Sequence, residues 1–125
     1  MSVFVVAIGG AAGAVARYLT YLWLQKFYGA FFPLPTLLIN ILGCFLIGIL
    51  MLLVENNAPN QRHLLLIGAT GFLGSYTTFS TFGFETFHLI RSNQFGWVAV
   101  YVTTSVVLGL AAIWAGRALF STLKF

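Results

Sequence analysis

Four long apolar segments, separated by short polar turns, run along the chain. A helix needs about 20 apolar residues to cross a membrane, and each segment reaches roughly that length. The hydrophobic pattern therefore predicts an all-α membrane protein with four transmembrane helices in a single domain, residues 1–125. The predicted spans are residues 3–24, 35–54, 63–90 and 95–120, with polar turns near residues 25–29, 55–60 and 91–94.

The third apolar segment differs from the others because hydroxyls, glycines and aromatic rings alternate in its middle. Residues 77–82 read Thr-Thr-Phe-Ser-Thr-Phe, shortly after Gly71 and Gly74. Thr and Ser compete for backbone hydrogen bonds, and Gly lowers helix propensity. In hydrocarbon an unsatisfied backbone group costs several kcal/mol, so a broken helix is tolerated only inside protein or beside a wet cavity. The sequence predicts a mid-membrane break between Gly74 and Ser80, and such breaks can hold ions.

The composition excludes a soluble globular protein. Hydrophobic residues make up 60% of the chain and charged residues only 6%, with a mean hydropathy of +0.98, whereas soluble domains carry about 25% charged residues. The net charge of +4 comes from basic residues that are scattered, so we expect them to flank membrane spans and predict no nucleic-acid partner. No paired carboxylates, His/Cys cluster or nucleophile with a base occurs in the sequence, so we do not expect an enzyme.

The basic residues give only a weak signal for orientation in the membrane. With four spans, Arg62, Arg117 and Lys124 lie on one side, and Lys26 and Arg91 lie on the other. Positive charge normally determines which side faces the cytoplasm, and three charges against two orient a protein poorly. The chain could therefore insert both ways, and two opposed copies could form an antiparallel dimer.

The first predicted span carries Gly9, Gly13 and Arg17 on one helical face, four residues apart. Small residues at this spacing let helices approach closely, so we interpret the two glycines as packing positions. An arginine inside a span is costly unless it snorkels to the interface, finds a partner or faces water. The sequence leaves these alternatives for Arg17 open.

Polar side chains on the second and fourth spans have two interpretations. Asn40 could bond a neighbouring helix, which we favour slightly, or donate to an anion. Tyr101, Ser105 and Gly109 recur at four-residue spacing. A row of hydroxyls along one face suits a track for an anion, and it also suits ordinary packing of hydroxyls against helix backbone.

Aromatic rings and one carboxylate follow the predicted break. Phe79 and Phe82 are three residues apart, so in a helix their rings project to similar sides. Ring edges are positive and can attract an anion, although a core aromatic cluster is the commoner outcome. Glu85 could cap a helix N-terminus or act as a counter-charge.

The order of these residues closely resembles the Fluc family of fluoride channels, also called CrcB, over essentially the whole chain. The resemblance implies antiparallel, dual-topology homodimers that export toxic fluoride passively across the bacterial inner (plasma) membrane, through two pores at the subunit interface. The resemblance rests on Gly9, Gly13, Arg17 and Tyr18, then Thr36, Leu37 and Asn40, then residues 71–85.

The resemblance also implies roles for individual residues. Arg17 matches a vestibule arginine, and the backbone carbonyls of Gly74 and Thr77 match the ligands of a structural sodium ion at the dimer centre. This chain departs from the family pattern at Ser75, where many members have glycine, and at Gly109, where some relatives have serine. The positions that match the fluoride pore are Asn40, Phe79, Phe82, Tyr101 and Ser105, together with Thr78, Ser80 and Thr81.

Two other functions compete with a fluoride channel. Small proton-coupled drug transporters also pair four-span chains antiparallel, but they need a protonatable carboxylate, typically in the first span, where this chain has none. A non-conducting subunit of a larger complex would account for the glycine pattern but not for the predicted break. A flux assay separates the three: proton-independent fluoride flux supports the channel, proton-coupled drug flux supports the transporter, and the absence of both supports the subunit.

Overall fold

The computed structural model describes residues 2–28, 32–56 and 61–122, and all regular secondary structure in these ranges is helical. Helix α3 covers residues 61–76 in three consecutive parts, an α-helical turn Gln61–Leu64, a π-helix Leu65–Leu73 and a short α-helix Gly74–Tyr76. The other helices are α1 (Ser2–Gln25), α2 (Leu34–Asn56), α4 (Phe79–Arg91) and α5 (Phe95–Thr122).

Three helices are long and apolar enough to cross a membrane, namely α1, α2 and residues Phe95–Ser121 of α5. Their bounds agree with the predicted first, second and fourth spans within two residues. The predicted third span is divided into α3 and α4, neither of which reaches the 18 residues required of a spanning helix. That these two helices together cross the membrane stays a prediction.

The two residues between α3 and α4 have extended backbone. Thr77 has φ −79° and ψ 159°, and Thr78 has φ −147° and ψ 112°. Both lie inside the interval 74–80 in which the sequence predicts the end of one helix and the start of another. The following turn, 91–94, ends α4 with Asn93 in the left-handed region at φ 55°, and the Gln94 amide donates to the Leu89 carbonyl at 3.0 Å. The polar residues 57–60, Gly29 of the first loop, and Lys124 lie outside the described residues.

Helix α1 packs closely against α3 through its two glycines. A Cβ atom at Gly9 would overlap the Ile67 carbonyl, and one at Gly13 would overlap the Phe72 carbonyl. The interpretation of Gly9 and Gly13 as packing positions is therefore confirmed. Because Ile67 and Phe72 belong to the π-helix, α1 fixes the segment that leads into the Thr77–Thr78 connection.

Helix α2 lies against both α5 and α3. Its most buried side chains are Thr36 and Ile39, each 1% exposed, and Tyr101 of α5 is fully buried. At the far end of α2, Glu55 accepts two hydrogen bonds from Arg117, at 2.7 and 2.9 Å. Arg117 is one of the three basic residues that the sequence places on its side of the membrane.

We predict that Gly13→Ala lowers the free energy of unfolding by about 1–3 kcal/mol, the usual cost of forcing a methyl group into a packed contact. Thermal unfolding of the detergent-solubilised protein, followed by tryptophan fluorescence, measures the change. Gly96→Ala is the matched control, because a Cβ there meets nothing within 4 Å. An unfolding midpoint for Gly13→Ala equal to that of Gly96→Ala would contradict the close contact between α1 and α3.

Candidate functional site

The Asn40 side chain, on α2, forms hydrogen bonds with the extended connection between α3 and α4. Its Oδ1 atom accepts from the Thr78 amide at 2.8 Å, and its Nδ2 atom donates to the Thr78 carbonyl at 3.1 Å. Both backbone groups of Thr78 are therefore satisfied by one side chain of another helix. The interpretation of Asn40 as a helix-to-helix hydrogen-bond partner is confirmed, whereas its role in a fluoride pore stays a prediction.

The break in the connection leaves the carbonyls at the end of α3 without their usual helical donors. In a continuous helix the Gly74 carbonyl would accept from the Thr78 amide, and the Thr77 carbonyl would accept from the Thr81 amide. The Thr78 amide donates to Asn40 instead, and the Thr81 amide donates to the Thr78 hydroxyl at 3.2 Å. The carbonyls released in this way include those of Gly74 and Thr77, the two residues that the resemblance implies as sodium ligands.

Thr78 is also the N-cap of α4. Its hydroxyl oxygen accepts from the Thr81 amide, which is the pattern expected of a threonine at this position. The same hydroxyl donates to Thr81 Oγ1 at 2.9 Å and lies 3.4 Å from Ser80 Oγ. Three of the predicted pore residues therefore form one hydrogen-bonded group. Of the two roles left open for Glu85, capping is wrong, because Glu85 lies well inside α4.

Arg17 points toward the connection. Its Nη1 atom lies 3.4 Å from the Thr77 carbonyl oxygen, a long hydrogen bond. Gly43 of α2 faces the same residue, and a Cβ there would overlap the Thr77 methyl group. For Arg17 the sequence left open snorkelling to the interface, a partner or contact with water, and the structure shows a partner inside the fold. Its vestibule role stays a prediction.

Three aromatic rings lie in a row in space beside the connection. The ring centroids of Phe79 and Phe82 are 5.7 Å apart, and those of Phe82 and Tyr101 are 5.0 Å apart. Phe79 is 84% exposed, whereas Tyr101 is fully buried. The rings therefore extend from the protein interior to the surface of the single chain.

Glu85 forms the centre of a second polar group that the sequence did not reveal. Its carboxylate accepts from Thr36 Oγ1 at 2.8 Å and from the Tyr101 hydroxyl at 2.7 Å. The chain has only two acidic residues, and Glu85 is the one inside a predicted span interior. A half-buried carboxylate needs hydrogen-bond donors. This requirement could have indicated from the sequence that a hydroxyl residue such as Thr36 lies beside Glu85. Tyr101 belongs to this group, so its hydroxyl proton already has an acceptor.

Ser105 is separate from both polar groups. Its Oγ atom is buried and is one of two buried side-chain polar atoms that lack a hydrogen-bond partner in the described part of the chain, the other being Gln94 Oε1. A buried hydroxyl without a partner is uncommon in folded proteins. The structure does not bring Ser105 into contact with Asn40 or Thr78 by any hydrogen bond within the described residues.

A cavity of about 600 Å³ opens beside the Glu85 carboxylate. It lies between the end of α1, the start of α2 and the middle of α4, so it connects the surface with the Glu85 group. The lining residues are Tyr21, Gln25, Tyr28, Phe32, Pro33, Pro35, Phe84, Glu85, His88 and Leu89. Within the described ranges, no three His, Cys, Asp or Glu side chains come together as a metal-binding cluster.

Known proteins match this chain over most of its length. A family model described as CrcB-like protein, Camphor Resistance (CrcB), matches residues 4–117. The chain is 41% identical over 111 residues to the fluoride-specific ion channel FluC of Acidobacterium capsulatum, with 89% of each chain covered. It is 45% identical over 114 residues to the protein of the same name from Hahella chejuensis, covering 91% of this chain and 90% of the relative.

A third relative, the fluoride-specific ion channel FluC of Agrobacterium fabrum, is 42% identical over 121 residues, with 95% of each chain covered. All three relatives are named as ion channels, in agreement with the expectation that this chain is not an enzyme. The match covers both sides of the connection at Thr77 and Thr78. The chain belongs to the CrcB family.

Proposed function

We propose that this protein is a fluoride-selective channel that lets fluoride leave the bacterial cell passively, through two pores at the interface of an antiparallel homodimer in the inner membrane. The observation that carries the proposal is identity above 40% with proteins named fluoride-specific ion channels over about nine-tenths of the chain. The competing drug-transporter function lacks this support, and so does the non-conducting subunit.

Weak donors on α4 and α5 suit a small, strongly hydrated anion. Conduction requires replacing the water around an ion with contacts that are favourable but weak enough to release it. The Ser105 hydroxyl is buried without a partner, and the positive ring edges of Phe79 and Phe82 supply further weak contacts. Asn40 and Tyr101 are already engaged with Thr78 and Glu85. Asn40 would donate its second amide proton to fluoride, and Tyr101 would offer the positive edge of its ring.

The exposed surface beside the connection supports a second copy of the chain. Gly74 and Ser80 are exposed and Phe79 is 84% exposed, although the sequence places all three at membrane depth. Lipid cannot satisfy the released carbonyls there. A partner chain could cover them, and the weak charge bias supports an antiparallel arrangement. In such a dimer the exposed Phe79 ring of one copy would line a pore with residues of the other.

The released carbonyls support a structural sodium ion at the dimer centre. Backbone oxygens suit hard cations, and the carbonyls of Gly74 and Thr77 have lost their helical donors. These two residues would hold the ion, which would supply a fixed positive charge inside a low-dielectric region. The Arg17 guanidinium lies 3.4 Å from the Thr77 carbonyl oxygen, so a sodium ion bound there would share that carbonyl with it. Ser75 does not obstruct these carbonyls, because its hydroxyl faces Gly10 of α1.

Fluoride efflux from liposomes containing the purified protein tests the proposal. A fluoride electrode follows release after a potassium shunt is opened, and chloride release is measured in parallel. We expect rapid fluoride release, negligible chloride release and no dependence on a proton gradient. Absence of fluoride release from a folded, assembled protein would overturn the proposal. Drug flux coupled to protons would favour the transporter.

Replacing Phe82 or Phe79 with isoleucine should slow fluoride efflux by about tenfold or more, because an aliphatic side chain has no positive edge, and 1.4 kcal/mol of added barrier slows a rate tenfold. Phe87→Ile, on the same helix but outside the ring group, is the matched control. Size-exclusion chromatography checks that each variant assembles. Efflux equal to that of Phe87→Ile would refute the role of the rings.

A further inference from the structure

Helix α3 is still fully hydrogen-bonded at Thr77. The Thr77 amide donates to the Leu73 carbonyl at 3.0 Å, and the Thr77 hydroxyl donates to the same carbonyl at 2.9 Å. The next amide along the chain, that of Thr78, is the first to leave the helical pattern, and its acceptor is Asn40. The end of α3 therefore coincides with the hydrogen bond to Asn40.

We propose that Asn40 is a positioning residue for the cation site. By capturing the Thr78 amide, it keeps the backbone extended there and keeps the carbonyls of Gly74 and Thr77 available to a cation. This inference rests on the proposed function, since the cation is the structural sodium described above. It assigns Asn40 a task separate from any contact with fluoride.

The local alternative to this arrangement is one more helical residue. If the acceptor at position 40 is removed, the Thr78 amide has a ready partner in the Gly74 carbonyl, and extending an existing helix needs no new nucleus. An amide left unpaired in apolar surroundings is unfavourable, which drives that extension. The extension consumes the Gly74 carbonyl, so one of the two proposed ligands is lost.

Asn40 can hold the connection because its own helix is fixed. Its neighbour Ile39 is 1% exposed, and Thr36, one turn earlier, is equally buried and bonded to Glu85. The amide also contacts Thr78 twice, through a donor and an acceptor. The long contact of Arg17 with the Thr77 carbonyl reaches only one group and leaves the Thr78 amide untouched. Among the described contacts, the Asn40 acceptor is the one that diverts the Thr78 amide.

Variants at position 40 test whether the hydrogen-bond acceptor of Asn40, rather than the rest of its side chain, keeps the Thr78 backbone extended. Asn40→Asp keeps an oxygen that can accept from the Thr78 amide, whereas Asn40→Leu has none. Asn40→Ser, whose side chain is too short to reach Thr78, replaces Asn40→Leu should the latter not fold. Cys44→Ser, one turn further along α2, is the matched control, because no hydrogen bond from Cys44 to the connection is present among the described residues.

Two measurements are made on the full-length protein in detergent. The ¹³Cα and ¹³Cβ chemical shifts of labelled Thr78 report whether its backbone is extended or helical. The thermal unfolding midpoint, measured in sodium chloride and in N-methylglucamine chloride, reports sodium binding. We expect helical shifts and at least tenfold weaker sodium binding for Asn40→Leu, and extended shifts with retained sodium binding for Asn40→Asp and Cys44→Ser.

Measuring fluoride efflux distinguishes a failure of this inference from a failure of the proposed function. Asn40→Asp should retain sodium binding and yet lose efflux, because a negative charge beside the pathway repels the anion. Extended Thr78 shifts together with unchanged sodium binding in Asn40→Leu would overturn the positioning role. If the wild-type protein shows no sodium effect, the cation site of the proposed function is overturned. The Thr78 shifts then still decide whether Asn40 controls the backbone.

Discussion

Backbone groups that leave a helix inside an apolar protein must find other partners, and the rest of this structure depends on how that requirement is met at Thr77 and Thr78. Each amide or carbonyl left unpaired in apolar surroundings costs several kcal/mol. Asn40 satisfies both backbone groups of Thr78. The Thr78 hydroxyl accepts from the Thr81 amide, in the first turn of α4. Of the carbonyls at the end of α3, that of Thr77 receives a long hydrogen bond from Arg17, and that of Gly74 has lost its helical donor.

The few polar side chains of the membrane-embedded region fall into groups with different tasks. Glu85, Thr36 and Tyr101 satisfy one another, and this group adjoins the cavity that opens beside α4. Thr78, Ser80 and Thr81 organise the start of α4. The Ser105 hydroxyl and the Gln94 side-chain carbonyl are the two buried side-chain polar groups without a partner in the described part of the chain.

The helices and the position of the connection were predictable from sequence because both follow from local chemistry. Apolar runs define the long helices within two residues, and the Gly and Thr pattern identifies the interval 74–80 as unsuitable for a continuous helix. The π-helix Leu65–Leu73 was not predictable, because its sequence is as apolar as that of an α-helix. The approach of Arg17 to Thr77 and of Thr36 to Glu85 depends on helix packing, which one sequence does not specify.

Disulfide cross-linking at residue 74 most directly tests whether two copies meet at the released carbonyls. Cys44, the single cysteine, is first replaced by serine, and Gly74→Cys is then oxidised in native membranes. A Cβ at Gly74 makes only an ordinary contact 3.4 Å from the Ala69 carbonyl oxygen, so the fold accommodates the change. We predict a covalent dimer from Gly74→Cys and none from Trp114→Cys, whose native side chain is 79% exposed on α5. No dimer from Gly74→Cys, or equal dimer from both variants, would contradict a paired arrangement of the two connections.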